Sequence, residues 1–272
     1  DEYKGEKTIP LGIYARKSFF KHVDAENIFE VTKQGFAYFE KTFGLAYPFG
    51  KYDQIAVAGY NWGAMENVGC VTFHEDVLIF RSKVTERNYV SRATTIHHEM
   101  AHMWFGDLVT MRWWDDLWLN ESFAEWASYM SVSESTQYKH AWTEFNSVRK
   151  NWAYRVDQMT STHPIAVEME DLDAVRTNFD GISYAKGASV LQQLVAHVGR
   201  DNFIAGLRKY FAKHAYKNTE LSDLITELEA ACGKDLTAWV NTWLRTAGVN
   251  TLRPVIKLDG DKYGSVSVKQ EV

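Results

Sequence analysis

Apolar residues between positions 25 and 43 recur at helical spacing, at Ile28, Val31, Phe36, Phe39 and Phe43. This pattern predicts a helix over residues 25–43, and the Pro48 and Gly50 that follow break it. Two stretches rich in strand formers come next, over residues 52–60 and 69–80, and their apolar residues alternate. Because alternation is typical of strands, we expect a small sheet with its apolar faces covered by helices.

From about residue 85 onward the pattern is mostly helical. It predicts helices over residues 87–105, 121–133, 137–149, 184–198, 202–214, 222–231 and 236–246. Asp201 and Ser222 stand where N-caps are expected, and Gly199 and Gly233 stand where C-terminal caps are expected. The predicted fold class is therefore α+β, mostly helical with one small β-sheet.

Beyond Pro254 the pattern changes to that of a β-hairpin. Residues 255–258 and 265–268 have strand character on either side of Asp259-Gly260-Asp261, and a short turn of this kind joins two antiparallel strands. We therefore expect a domain boundary near Asn250, with residues 251–272 beginning a second, β-type domain. The chain starts on a charged run without Met and ends on a strand pattern, so we expect it to be a piece of a longer protein.

Composition limits the classes of partner and the cellular compartment that we expect. The 272 residues carry a net charge of −5, which argues against nucleic acid as a partner. No apolar run reaches the roughly 18 residues of a membrane span. Cys70 and Cys232 are the only cysteines, too few for a disulfide framework. Two free thiols favour a reducing compartment, so a cytoplasmic location is the expectation.

A metal-binding pattern lies inside the helix predicted over residues 87–105. His98-Glu99-Met100-Ala101-His102 is an HExxH motif, and a spacing of four residues places both histidines on one helical face. Two neutral imidazoles placed in this way can bind Zn²⁺, and Glu99 lies close enough to take a proton from an activated water. Two exposed histidines flanking a glutamate would give the same pentapeptide, so the motif indicates a metal site without completing it.

Glu121 is the predicted third ligand, because catalytic zinc usually has three protein ligands. It opens the helix predicted over residues 121–133, which is rich in apolar residues. A glutamate at a helix start is often only a partner of the helix dipole, but an unpaired buried carboxylate here would be costly. Glu125, one turn later, is either an acceptor for a ligating histidine or a solvated or salt-bridged residue.

Three motifs together resemble those of the M1 family of zinc aminopeptidases. His98-Glu99-x-x-His102 followed by Asn120-Glu121 is similar to the zinc signature of that family. Gly63-Ala64-Met65-Glu66-Asn67 matches its exopeptidase motif, and Tyr184 lies in a segment that matches its catalytic-tyrosine segment. The resemblance covers about residues 10–250, and the sequence around the motifs resembles the actinobacterial aminopeptidase N branch.

The resemblance implies a thermolysin-like (gluzincin) catalytic domain over residues 18–250. It also implies that residues 1–17 end an N-terminal β domain, that residues 251–272 begin a β-sandwich, and that the missing N- and C-terminal domains of the full-length chain are partners. The implied reaction is hydrolysis of the N-terminal peptide bond by a zinc-activated water, with one Zn²⁺ per chain. In it Glu99 is the general base, Tyr184 stabilises the oxyanion, and residues 63–67, above all Glu66, bind the free amino terminus of a peptide.

Without the resemblance, Tyr184 would be an ordinary helix-start tyrosine and Glu66 a solvated residue in a strand-end turn. Within the family, a relative that also opens a lipid epoxide typically has a glycine-rich variant of the exopeptidase motif. A thermolysin-type endopeptidase should lack the Glu66 anchor, and a non-catalytic scaffold should lack a ligand or the base. His97 points away from His98 and is predicted either to be structural or to support a ligating residue. His74, beside Glu75 and Asp76, is predicted to belong to a surface cluster, with a second metal site as the alternative. Lys186 is given no chemical role.

Overall fold

The computed structural model describes residues 1–271. Its main sheet has five strands, in the spatial order β1-β2-β3-β5-β4. The strands are β1 (Glu2–Lys4), β2 (Thr8–Tyr14), β3 (Tyr52–Val57), β4 (Ala64–Met65) and β5 (Cys70–His74). β2 runs parallel to β3 and β3 parallel to β5, whereas β1 and β4 pair antiparallel at the two edges. The short strand β4 is therefore left at one edge of the sheet.

The predicted first helix is confirmed with its bounds, as α1 (Ala25–Phe43). Its N-cap is Asp24, whose side chain accepts from the backbone of Asn27, and it ends at Gly44 with φ +67. Glycine is favoured there because the left-handed region strains residues with a Cβ. The apolar residues that predicted this helix are all buried, so the spacing alone identified the face that packs on the core.

The strand predicted over residues 69–80 is confirmed only in its first half. β5 ends at His74, and the chain then forms a short helix, α2 (Glu75–Leu78). The ring Nδ1 of His74 accepts a hydrogen bond from the backbone N–H of Asp76 at 3.2 Å. This capping contact starts a helical turn where apolar alternation indicated a strand.

The helices after residue 85 follow the predicted order, with different ends and several additions. They are α3 (Glu86–His102), α4 (Leu117–Ser135), α5 (Ala141–Glu144), α6 (Lys150–Val156), α7 (Leu172–Thr177), α8 (Gly187–Val198), α9 (Arg200–His214), α10 (Leu221–Cys232) and α11 (Thr237–Trp243). Two π-helical turns, Phe145–Arg149 and Ile182–Lys186, were not predicted, and neither were α6 and α7. A parallel pair, β6 (Val109–Met111) with β7 (Lys217–Thr219), lies between these helices.

The two predicted N-caps are wrong, whereas both predicted C-terminal caps are confirmed. α9 starts after Gly199, so Asp201 lies inside its first turn. α10 is capped by Glu220, because Glu220 and Asp223 exchange side-chain and backbone hydrogen bonds, and Ser222 lies within the helix. Gly199 ends α8 with φ +88 and Gly233 ends α10 with φ +69.

The hairpin is confirmed as β8 (Thr251–Asp259) and β9 (Lys262–Glu271), joined at Gly260 with φ +58. Its residues are exposed, apart from Glu271. The rest of the chain buries one large aromatic and aliphatic core between the sheet, α1, α3 and α4. No helix within residues 1–271 is long and apolar enough to cross a membrane.

Candidate active site

α3 presents His98 and His102 on one buried face, as the spacing predicts. Their Nε2 atoms lie 3.2 Å apart. The Nδ1 atom of His102 faces the carbonyl oxygen of Phe105 at 3.1 Å, and that of His98 faces a carboxylate oxygen of Glu125 at 3.6 Å. Because a nitrogen facing an acceptor carries the hydrogen, each neutral ring would point the lone pair of its Nε2 toward the other ring.

Glu121 completes this arrangement from α4. Its Oε2 atom lies 3.2 Å from Nε2 of His98 and 3.6 Å from Nε2 of His102. Contrary to the prediction, Glu121 does not open its helix, because α4 begins at Leu117 and Glu121 lies in the second turn. Its burial therefore has to be balanced by a cation rather than by a helix terminus.

The donor set fits a zinc ion. One ligand atom from each of His98, His102 and Glu121 can be chosen so that all three lie within 4.8 Å of one another. With bonds of about 2.0–2.1 Å, the edge of a tetrahedron around Zn²⁺ is about 3.3 Å, close to the distances seen here. Within the described part of the chain this is the one such group of histidine, cysteine or acidic residues.

Opposite charges stabilise each other among these buried groups. Burial alone would lower the pKa of His102, but the carboxylates of Glu66, Glu121 and Glu99 more than offset it and hold that pKa well above its usual value. Burial alone would raise the pKa of Glu121, but its hydrogen bonds to His102 and His98 hold it far below the usual range. The site is therefore built to hold positive charge.

Glu99 lies on the wall of the cavity next to these ligands, and its side chain is buried. Burial, with smaller contributions from Glu66 and Glu121, raises the pKa of Glu99 to about 7, against the lowering effect of His98 and His102. A carboxyl group with a pKa near neutrality can both accept and release a proton under working conditions. A bound cation would lower this pKa, since it favours the ionised form.

The motif at residues 63–67 forms strand β4 and the turn after it. Ala64 pairs with Phe73 and Met65 with Thr72, and Gly63 and Ala64 line the cavity. Glu66 places Oε1 3.9 Å from Nδ1 of His102, on the side of that ring away from Glu121. The side chains of Met65 and Asn67, the two other residues of the motif, are placed differently.

Met65 is exposed, and the amide of Asn67 donates to the hydroxyl of Thr72 at 3.1 Å. The side chain of Asn67 therefore holds the strand edge and that of Met65 flanks it, whereas the carboxylate of Glu66 lies close to the metal ligand His102.

Tyr184 reaches the site from the second π-helical turn. Its ring stacks beside His98 with the centroids 6.0 Å apart. Burial, together with the nearby Glu121 and Glu99, raises its pKa well above the usual value, so the phenol keeps its proton. The turn lies tightly against α4, because Ser122 donates to the carbonyl of Ser183 at 2.5 Å and a Cβ on Gly187 would lie 1.8 Å from the Ser122 hydroxyl.

Arg149 is a site residue that the sequence did not indicate. It comes from the first π-helical turn, and its guanidinium binds Glu125 through Nε at 2.5 Å and through a second nitrogen at 3.2 Å. The carboxylate of Glu125 also faces His98. Glu125 is therefore salt-bridged and at the same time an acceptor for a ligating histidine. Arg149 also lies over the ring of Trp152, 4.8 Å from its centroid.

A cavity of about 330 Å³ lies beside His98, and its lining includes Trp62, Thr94, Glu99, Arg149, Phe179 and Tyr184. Glu66 lines a second cavity, of about 260 Å³, together with Asn120. An opening of this size suits a few residues of an extended chain, or one small ligand.

Three residues that the sequence left outside the chemistry have structural roles. Both ring nitrogens of His97 are occupied, by Ser131 at 2.7 Å and by the carbonyl of Val31 at 2.9 Å, which confirms a structural histidine. His74 caps α2, and Lys186 pairs with Asp157 at 2.8 Å.

Replacing Glu125 by glutamine is expected to weaken zinc binding by about 10–100-fold, because a carboxylate behind a ligating histidine orients the ring and raises its basicity. Competition against a chelator measures the affinity. Glu134→Gln is the matched control, since Glu134 lies on the same helix and pairs with Arg200 at 2.6 Å without touching the metal site. Equal affinities for the two variants would show that Glu125 does not act through His98.

A family model, described as the peptidase family M1 domain, matches residues 28–243. The chain belongs to this family. The resemblance seen in the three motifs is thereby confirmed, for a domain that is about half helical with a small sheet.

Named relatives of the M1 domain agree with this assignment. The chain is 55% identical to aminopeptidase N of Streptomyces lividans over 98% of its own length and 32% of the relative. It is 38% identical to the mitochondrial aminopeptidase 2 of Saccharomyces cerevisiae, over 96% of the chain and 27% of the relative. It is 37% identical to glutamyl aminopeptidase of Bitis rhinoceros, over 95% of the chain and 27% of the relative. The chain thus spans about a third or less of the length of these relatives.

Proposed function

We propose that this M1 domain is the catalytic domain of a zinc-dependent aminopeptidase with a thermolysin-like (gluzincin) fold. The observation that carries the proposal is the convergence of three metal-binding atoms beside a buried carboxylate, Glu99, and a strand edge that bears a second carboxylate, Glu66. Hydrolysis needs a group to take the proton of water, and an exopeptidase needs a group to recognise the end of its substrate. The two carboxylates supply one function each.

His98, His102 and Glu121 would hold the zinc ion. When bound, Zn²⁺ supplies Lewis acidity, which polarises the scissile carbonyl and makes a water nucleophilic near neutral pH. Glu99 accepts the proton of the attacking water and passes it to the leaving amine. A buried carboxylate is suited to this task, because it is shielded from bulk solvent and a nearby cation favours its ionised, proton-accepting form.

Tyr184 stabilises the oxyanion of the tetrahedral intermediate. Its high pKa keeps the phenol protonated, so it can donate a hydrogen bond to the negative oxygen that develops from the carbonyl. Donors of this type typically contribute about 10²–10³ in rate. The stacking of the Tyr184 ring beside that of His98, with the centroids 6.0 Å apart, supports this role.

Glu66 binds the free amino terminus of the substrate. A peptide extended along the edge strand β4 would use the outward-facing backbone groups of Ala64 for main-chain hydrogen bonds, since the carbonyl of Gly63 already accepts from the N–H of His74. The carboxylate of Glu66, at the end of this strand, pairs with the ammonium group and stops the peptide one residue from the scissile bond. The small side chains of Gly63 and Ala64 let the substrate backbone approach.

The domain is proposed to work within a longer protein, because named relatives extend well beyond it. The divisions at residues 17 and 250, the N- and C-terminal partner domains and the cytoplasmic location all stay predictions. β2 pairs directly with β3, so the strands before residue 17 extend the same sheet as the strands after it.

The test of this function compares a free and an N-acetylated peptide of one sequence. The wild-type full-length protein is expected to release the first residue of the free peptide only. Glu66→Gln should lower kcat/KM for it by about 10²-fold, since loss of a buried charge partner costs about 2–5 kcal/mol. Asp76→Asn, which removes an exposed carboxylate near the same edge of the sheet, is the control and should not change the rate. Equal cleavage of the acetylated peptide would contradict the exopeptidase assignment.

A further inference from the structure

The π-helical turn that carries Tyr184 is capped by Asp180. One carboxylate oxygen of Asp180 accepts from the backbone N–H of Ile182 at 2.9 Å and from that of Ser183 at 3.0 Å. These two bonds fix the start of the turn, two residues before the tyrosine. A π-helical turn is rare in proteins and is frequently found at functional sites, so its stabilising contacts bear on the position of the phenol.

The second carboxylate oxygen of Asp180 binds His163. The Nε2 atom of His163 lies 3.0 Å from this oxygen, and the Nδ1 atom lies 2.6 Å from the carbonyl oxygen of Pro164. Both ring nitrogens face acceptors, an arrangement that favours the doubly protonated imidazolium. Burial alone would lower the pKa of His163, but its hydrogen bonds to Asp180 and Pro164 raise it above the usual value, against a lowering effect of Lys186.

The other end of the turn is held by a second ion pair. The ammonium of Lys186 lies 2.8 Å from a carboxylate oxygen of Asp157 and 3.4 Å from the carbonyl oxygen of Gly248. Asp157 is buried and ends α6. The backbone of the turn also lies close to α6, because a Cβ on Gly181 would come within 3.0 Å of the Ala153 backbone. The five residues of the turn are thus fixed at both ends by charged partners from elsewhere in the fold.

We propose that Asp180 and His163 are positioning residues for Tyr184. They hold the π-helical turn in the conformation that places the phenol beside His98, and they do so through backbone hydrogen bonds and one ion pair, without contacting the substrate. This inference rests on the proposed function, because it assumes that Tyr184 acts on the oxyanion. A donor must be held to within about 0.5 Å of its productive position, and a misplacement of about 1 Å can cost about 10²-fold in rate.

The experiment uses the full-length protein and two variants of different severity. Asp180→Ala removes both the cap and the ion pair, whereas His163→Gln leaves the cap bonds to Ile182 and Ser183 in place. We expect kcat to fall by about 10–10²-fold for Asp180→Ala and by less for His163→Gln. KM should stay within about twofold and the zinc affinity should be unchanged, because neither residue touches substrate or ligands.

The same substitutions are repeated in a Tyr184→Phe background. There they should cause little further loss, since a residue that acts through the phenol has nothing to position once the hydroxyl is gone. Asp171→Asn is the matched control. Asp171 caps the neighbouring helix α7 through the N–H of Ala174 at 2.8 Å, and this variant should keep the wild-type kcat.

Each result separates the positioning role from the proposed function. Full activity of Tyr184→Phe would refute the assignment of Tyr184 and leave no role to position. A strong loss for Tyr184→Phe with unchanged kcat for both Asp180→Ala and His163→Gln would overturn the positioning role alone. Equal losses in the wild-type and Tyr184→Phe backgrounds would show a general structural effect and also overturn it. If Asp180→Ala does not fold, the kcat of His163→Gln decides.

Discussion

Glu99→Gln is expected to lower kcat/KM by about 10²–10⁴-fold, the usual contribution of a positioned general base. The amide has nearly the shape of the carboxylate but cannot accept the proton of water. Zinc affinity should be retained, because Glu99 is not among the three residues whose atoms converge on the metal site. Steady-state kinetics on a free peptide and a zinc titration of the same sample measure the two quantities together.

The stability of this variant distinguishes lost chemistry from lost structure. In the ion-free chain the folded-state pKa of Glu99 is raised to about 7, so the stability associated with its neutral form is present at low pH and lost as pH rises from about 4.5 to about 7. Glutamine is neutral at every pH and avoids this loss. With a chelator present, the melting temperature of Glu99→Gln at pH 8 should therefore be no lower than that of the wild type.

Glu227→Gln is a suitable control for this substitution. Glu227 is also buried and is paired with Lys213 at 2.7 Å, away from the metal site. Its variant should keep normal kcat/KM whatever its stability. Full turnover by a zinc-loaded Glu99→Gln protein would refute the assigned mechanism.

Removing the metal ion, or one of its ligands, is expected to abolish activity. For Glu121→Gln we expect zinc affinity to fall by at least about 10²-fold, since about 10–16 kcal/mol of binding energy is shared among about four ligands at a typical site. The amide would leave two imidazole lone pairs facing each other without the negative charge that balances the cation. Chelation of zinc should likewise abolish the activity of the wild type. Zn²⁺ added at moderate concentration should then restore the activity of the wild type but not that of Glu121→Gln.

The pH dependence of zinc binding follows from the same geometry. Zinc must displace protons from ligands whose pKa is high, and the pKa of His102 lies well above its usual value in the ion-free chain. The affinity should therefore fall as pH falls. Zinc titrations at two pH values measure this change, and an affinity independent of pH between 6 and 8 would contradict the ligand set.

The parts of the fold that the sequence predicts well are those in which local spacing decides the outcome. α1 matches its prediction because its apolar residues all face one core. The histidine pair matches because four residues make just over one helical turn. By contrast, the stretch 69–80 failed as a single strand, since one side-chain cap at His74 outweighs the apolar alternation after it.

The parts of the site that the sequence missed depend on contacts between distant segments. Asp180 meets His163 across 17 positions, and Arg149 meets Glu125 across 24. Neither pair has a spacing that an isolated helix or strand would produce. The two π-helical turns were also missed, because the apolar spacing of the sequence does not distinguish a five-residue hydrogen-bonded turn from an α-helix.

The brevity of β4 has a consequence for the behaviour of the protein in solution. An open sheet edge is a template on which other chains can add strands, and long exposed edges lead to aggregation. β4 offers only two residues, and the chain then turns back into β5, with the N–H of Cys70 donating to the carbonyl of Asn67. Such an edge is long enough to align the first residues of a small peptide and too short to recruit a neighbouring sheet. A strand this short can thus pair with the end of an unfolded chain, but it does not favour pairing between two folded molecules.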